Sequence, residues 1–165
     1  MESYKKILLN TKLQGIMTQT EINLVQNSWK NLRKIEPQII GDVFYSKLFL
    51  DAPHLKHLFH TPPAEQSKKL INMLNVVIAR LEHLDDLKND IRQLGIRHQS
   101  YGVKASHYDI VGNALIWTLQ RALGKEWNDN LSRAWIECYT TLASAMIDGA
   151  ASAHSETAVA SNKTV

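Results

Sequence analysis

The chain has 165 residues, of which 44% are hydrophobic and 21% charged, and a formal net charge of +3. That is enough for one domain with a core of its own. The one cysteine, Cys138, excludes an internal disulfide and any cysteine-built zinc or iron–sulfur site, and fits a reducing compartment. The basic residues form no long Lys/Arg run and no aromatic-interleaved patch, so nucleic-acid binding finds no support. No apolar stretch approaches the length of a membrane span.

Residues 1–17 begin basic and then turn briefly apolar, too briefly for a signal peptide. They read as a frayed extension ahead of a start at Met17, or as a short helix docked on the domain, a membrane surface or a second copy. Thr18-Gln19-Thr20-Glu21 is a capping box. Ile22, Val25, Trp29 and Leu32 follow at helical spacing, which predicts a first helix over 19–34. Pro37 suits the first turn of a second helix, with Ile40, Phe44 and Leu48 on one side and Gly41, Tyr45 and Phe49 on another. Gly41 costs about 1 kcal/mol against alanine inside a helix. Close approach of another helix is the usual compensation. Asp51-Ala52-Pro53 breaks the chain and starts a short third helix.

Pro62-Pro63 opens the next helix, with Leu70, Met73, Leu74, Val77 and Leu81 as its apolar stripe and Gln66 at the head. Asp85-Asp86 then caps a helix on which Leu87, Ile91, Leu94 and His98 share one face. Three of these are oily and the last can ligate a metal. Gly102 ends that helix. A cap at Ser106–Asp109 and the stripe Val111, Leu115, Leu119, Ala122 follow, up to Gly124. Asp129 opens a last helix with Leu131, Trp135, Cys138, Tyr139, Leu142 and Met146 inward, and Gly149 is expected to end it. The tail from Ala150 has no stripe and reads as disordered. There is no period-two stretch and no internal repeat, so the fold class is all-α.

The number, lengths and breaks of these helices resemble a globin over residues 18–149. Within globins they are similar to the bacterial single-domain type related to the haem domain of flavohaemoglobins. Pro53 followed by Phe59, Gln66 with Leu70 one turn on, Tyr45 on the second helix, and the string His98-Gln99-Ser100-Tyr101-Gly102-Val103 with His107-Tyr108-Asp109-Ile110-Val111-Gly112 carry the likeness. The resemblance implies a globin fold of about seven helices around a haem b group. It implies His98 as the iron ligand, Tyr45 and Gln66 on the gas side, and Phe59, Leu70, Leu94, Val103 and Tyr108 against the haem. Lys69 is a candidate propionate partner or a plain surface lysine. Gly41 and Ser67 would mark a close helix crossing. Tyr108 matches a tyrosine beside the proximal histidine, but Ala150 stands where the family pattern has a glutamate, so strong proximal donation is not expected. Cys138 reads as a buried core thiol, and the remaining histidines as turn, cap and tail residues.

The division implied is an extension (1–17), a haem-binding unit (18–149) and a tail (150–165). The leading function is reversible, high-affinity oxygen binding, with nitric oxide dioxygenation when a separate reductase supplies electrons. Carbon monoxide is a further gas ligand. The expected setting is a cytoplasmic monomer or weak homodimer without nucleic acid or an integral membrane segment. A haem-based gas sensor or redox carrier acting through a partner is the alternative, and a haem-free contact module is a third reading.

Overall fold

The computed structural model describes residues 17–161, with side chains up to Ala153. Among them the regular structure is helical throughout: α1 (Gln19–Leu32), α2 (Pro37–Asp51), a 3₁₀ turn (Pro53–Leu58), α3 (Pro63–Ala79), a second 3₁₀ segment (Leu81–Leu87), α4 (Lys88–Ser100), α5 (Ala105–Leu123), a third 3₁₀ turn (Gly124–Glu126) and α6 (Asp129–Ser161). The expected all-α class is what is found. The expectations for residues 1–16 lie outside the described residues.

Local chemistry accounts for most boundaries. The Thr18 hydroxyl accepts the Glu21 N–H at 3.3 Å while the Glu21 carboxylate accepts the Thr18 N–H at 2.8 Å, closing the capping box. Pro37, Pro53 and Pro63 each stand in the first turn of their helix. Gly124 ends α5 at a positive φ of 52°. Asn128, not Asp129, caps α6: its side-chain oxygen accepts the Asn130 and Leu131 amides at 3.1 and 3.0 Å.

Four expectations need correction. Asp85 and Asp86 cap nothing; they lie in the 3₁₀ segment, and α4 starts at Lys88 without a side-chain cap. The cap of α5 lies earlier than Ser106, at Lys104, whose backbone N–H donates to Nδ1 of His107 at 3.2 Å. Ala122 is exposed, and Leu123 takes the inward place. Gly149 does not end α6, which runs on to Ser161 with Ala150 buried. Gly149 is there to let another helix in, as described below.

The largest core gathers Val25, Trp29 and Leu32 of α1, Ile40, Phe44 and Leu48 of α2, Ile71, Leu74 and Ile78 of α3, Leu115 and Leu119 of α5 and Trp135 and Cys138 of α6. Each aliphatic or aromatic side chain buried this way contributes roughly 1.5–3 kcal/mol. The indole N–H groups stay satisfied: Trp29 donates to Asn75 at 2.8 Å and Trp135 to Ser28 at 3.0 Å. Cys138 is buried as expected, and burial pushes its thiol up to about 12, helped by the Glu137 charge. That makes it an unreactive filler.

Two glycine contacts set the frame. A Cβ on Gly41 would lie 2.1 Å from the Ser67 hydroxyl oxygen and 2.8 Å from the Ser67 Cα, so α2 and α3 cross almost backbone to backbone. This is the crossing the sequence suggested. The second was not anticipated. A Cβ on Gly95 of α4 would meet the Met146 carbonyl oxygen at 2.1 Å, and one on Gly149 of α6 would meet Arg92 Cα at 2.9 Å. Each helix of the α4–α6 pair thus contributes a glycine to admit the other.

Candidate functional site

α3 is seated on α2, and α4 is seated on α6, but α3 and α4 are not packed on one another. The core divides accordingly. Phe49, Phe59, Leu70 and Met73 lie half-buried at the rim of the large cluster. Leu94 and Tyr108 lie half-buried at the rim of a small second cluster made by Leu87, Ile91 and Met146. On α3 the deepest apolar residues are Ser67's neighbours on the inner face, Ile71, Leu74 and Ile78, while Leu70 and Met73 stay at the edge. The stripe read from the sequence therefore mixes core positions with edge positions.

His98 is held at the end of α4 by a closed hydrogen-bond pattern. Val103 N–H donates to the His98 carbonyl at 3.0 Å and Gly102 N–H to the Gln99 carbonyl at 2.9 Å. This is a Schellman closure, and Gly102 at φ 90° supplies the left-handed residue it needs. Val103, half-buried, thus acts on the histidine through its backbone. The His98 imidazole sits with Nδ1 2.9 Å from the Leu94 carbonyl oxygen. A carbonyl only accepts, so Nδ1 carries the hydrogen and Nε2 keeps its lone pair. Burial lowers the His98 pKa, the bond to Leu94 opposes that shift, and the Arg97 charge adds a smaller push down. A neutral, oriented imidazole with an available Nε2 is a metal ligand in waiting.

Tyr108 stacks beside it, ring centroids 6.5 Å apart at 30°. Its own backbone oxygen accepts the Tyr139 hydroxyl at 2.6 Å. Ala150 offers only a buried methyl on α6. The partner given to Nδ1 is thus a backbone carbonyl, a weaker electron source than a carboxylate.

Tyr45 lies on α2, nearly buried among aromatic rings. It stacks on Phe49 at 5.8 Å and meets Phe59 edge-on at 5.5 Å. Burial pushes the phenol up to about 12, against the pull of a hydrogen bond with the Gln66 side chain. The structure thus brings Tyr45 and Gln66 together. Ser67, next in the chain and fully buried against Gly41, fixes the backbone from which Gln66 projects. Phe49 completes the aromatic cluster; its i+4 spacing from Tyr45 was the signal for it. Lys69 is exposed and pairs with Glu65 on its own helix at 2.9 Å.

These residues fit a haem. Half-buried apolar side chains suit the faces of a large apolar disc, a neutral imidazole suits its iron, and a phenol and an amide suit a bound gas. No helix among the described residues is long and apolar enough to cross a membrane.

A family model described as Globin matches residues 42–146. Neuroglobin-2 of Oncorhynchus mykiss is 32% identical over 147 residues, covering 81% of this chain and 92% of that protein. A flavohemoprotein of Bacillus subtilis is 33% identical over 107 residues, covering 63% of this chain. This chain spans only 27% of that flavohemoprotein's length. Among solved structures, an engineered carbene transferase from Rhodothermus marinus superposes with a TM-score of 0.76 at 27% identity, covering 86% of this chain and 99% of that one. Sequence likeness and helix arrangement agree, and the chain belongs to the globin family.

Proposed function

We propose that the protein binds haem and, through it, a diatomic gas, holding oxygen reversibly and with high affinity. The observation that carries this is the His98 imidazole, neutral and fixed by Leu94 so that Nε2 alone remains to bind iron. When bound, haem iron supplies a sixth coordination position at which oxygen, nitric oxide or carbon monoxide can sit. Phe59, Leu70, Leu94 and Tyr108 would hold the ring by apolar contact. The residues opposite His98 do the discriminating. The Tyr45 phenol, backed by the Gln66 amide, would supply the hydrogen-bond donor for a bound gas that carries partial negative charge. Protonated at all ordinary pH, Tyr45 keeps that hydrogen available.

The proposal extends to haem b as the cofactor and to nitric oxide dioxygenation, in which nitric oxide, oxygen and one electron give nitrate. The electron would come from a separate reductase. Globin and flavohemoprotein relatives support the haem and the gas ligand. A cytoplasmic monomer or weak homodimer, with residues 18–149 as the haem-holding unit, completes the reading. Absorption spectra of the purified protein, ferric, ferrous and with carbon monoxide, test it. A Soret band that shifts with carbon monoxide is expected, and its absence would sink the proposal. A six-coordinate ferrous spectrum without added gas would favour the redox-carrier alternative.

A further inference from the structure

Two stretches of the sequence hold no acid. Residues 52–64, between Asp51 and Glu65, contain Lys56 with His54, His57 and His60. Residues 91–108, between Asp90 and Asp109, contain Arg92, Arg97 and Lys104 with His98 and His107. The fold joins them. Gly102, in the turn after α4, lies against Leu58 of the first 3₁₀ turn, so that an added Cβ would be 3.4 Å from Leu58 Cδ2. The two stretches also lie within electrostatic reach of one another: beyond its burial, His107 has its pKa held down by Lys104 and, less, by His54 and His57. His54, Lys56, His57, Arg97 and Lys104 are all exposed. Lys56 lies over the Phe49 ring at 5.8 Å, which leaves its charge intact. Asp51, at the edge, is already paired with Lys47 at 2.9 Å. In the midst of this corner Tyr101 is 60% exposed, the first residue beyond the helix that carries His98.

We infer that this corner is a docking surface for an acidic protein electron carrier. The inference rests on the haem reading and names the partner that reading requires. An exposed aromatic ring bordered by cations from two acid-free stretches is suited to a small, short-lived contact, the kind that electron-transfer partners use. Cations without neighbouring acids speed the encounter with an anionic partner and lose that effect as salt rises. Tyr101 stands three residues from His98, so a carrier seated there is close to the place where the electron is needed. A lipid surface fits less well. It calls for a helix with a broad exposed apolar face beside the basic residues, and this corner exposes a single aromatic ring.

Flavodoxin, a small acidic flavin carrier, is the probe. Its oxidised form is titrated into the haem-loaded protein by calorimetry at 20 and 200 mM salt, and its reduced form is mixed with the ferric protein in a stopped-flow instrument. Binding and reduction should both weaken by about tenfold or more between the two salt concentrations. Lys56→Glu with Lys104→Glu should weaken both by about tenfold at low salt, with the carbon monoxide spectrum and melting temperature unchanged. Lys88→Glu, at the opposite end of α4, should change neither by more than about twofold. Salt-independent binding, no binding, or an equal effect of Lys88→Glu would overturn the inference. So would capture by phosphatidylglycerol vesicles without flavodoxin binding, which would assign the corner to a membrane. A protein without a Soret band fails the haem reading, yet its flavodoxin titration can still be read. A normal Soret band with no salt-dependent binding fails the docking inference alone.

Discussion

Replacing Gly41 by alanine puts the α2–α3 crossing to the test. The new methyl would stand 2.1 Å from Ser67 Oγ, 2.2 Å from its Cβ and 2.8 Å from its Cα. Ordinary carbon contacts lie at about 3.5–4.0 Å. Turning the serine side chain relieves the first distance but not the last, so the two helices must part by roughly 1 Å. Overpacking of this kind costs about 1–3 kcal/mol, and a backbone clash belongs at the upper end. Alanine returns about 1 kcal/mol of helix propensity. The expected net loss is therefore about 2 kcal/mol, or a fall in melting temperature of about 4–8 °C for a chain this size. Urea unfolding followed by circular dichroism at 222 nm measures it. Ser67→Gly in the same background removes Oγ and Cβ and should recover about 1 kcal/mol more than Ser67→Gly alone would suggest, a coupling read from the double-mutant cycle. A Gly41→Ala protein as stable as the parent, or a cycle with no coupling, would refute the crossing as the reason for the glycine.

Tyr45→Phe removes the phenol donor but keeps the ring among Phe49 and Phe59; the oxygen off-rate should rise about ten- to a hundredfold, and that of carbon monoxide should stay within twofold. Equal rises for both gases would point to altered packing instead. His98→Gly should abolish haem retention unless imidazole is added, and an unchanged spectrum without imidazole would show that another residue ligates. A chain cut to residues 17–149 should still bind haem but melt lower than the full chain, because it loses the buried Ala150; melting curves with and without haem distinguish the two effects.

Residues whose partners are close in sequence were the legible ones. The capping box, the three prolines opening helices, and Gly102 closing α4 are all local chemistry. His98, Tyr45 and Gln66 became legible through a family likeness, and the fold then brought the last two together. Gly95 and Gly149 were missed for a reason the sequence contained. Gly95, like Gly41, is a glycine inside a helix and needs a close neighbour to justify it. Gly149 was read as a helix end because no apolar stripe follows it. The alanines after it favour helix by themselves, and α6 continues to Ser161. Lys69 was open to two readings in the sequence, and in the fold it pairs with Glu65 one turn earlier on its own helix.

The division of the core has a consequence for how the molecule opens. α4 leans on α6 through the small cluster of Leu87, Ile91 and Met146 and is not packed on α3. An element whose helical support comes from α6 and not from α3 can separate from the rest at a lower free energy than global unfolding requires. Amide hydrogens between Ile91 and Ser100 should therefore exchange through a partial opening of α4, while those of α1 and α2 wait for the whole chain to unfold. A ligand that bridges α3 and α4 binds only the closed form and adds its binding energy to that opening. Exchange protection along α4 is thus a gauge of occupancy, readable without any colour from the cofactor.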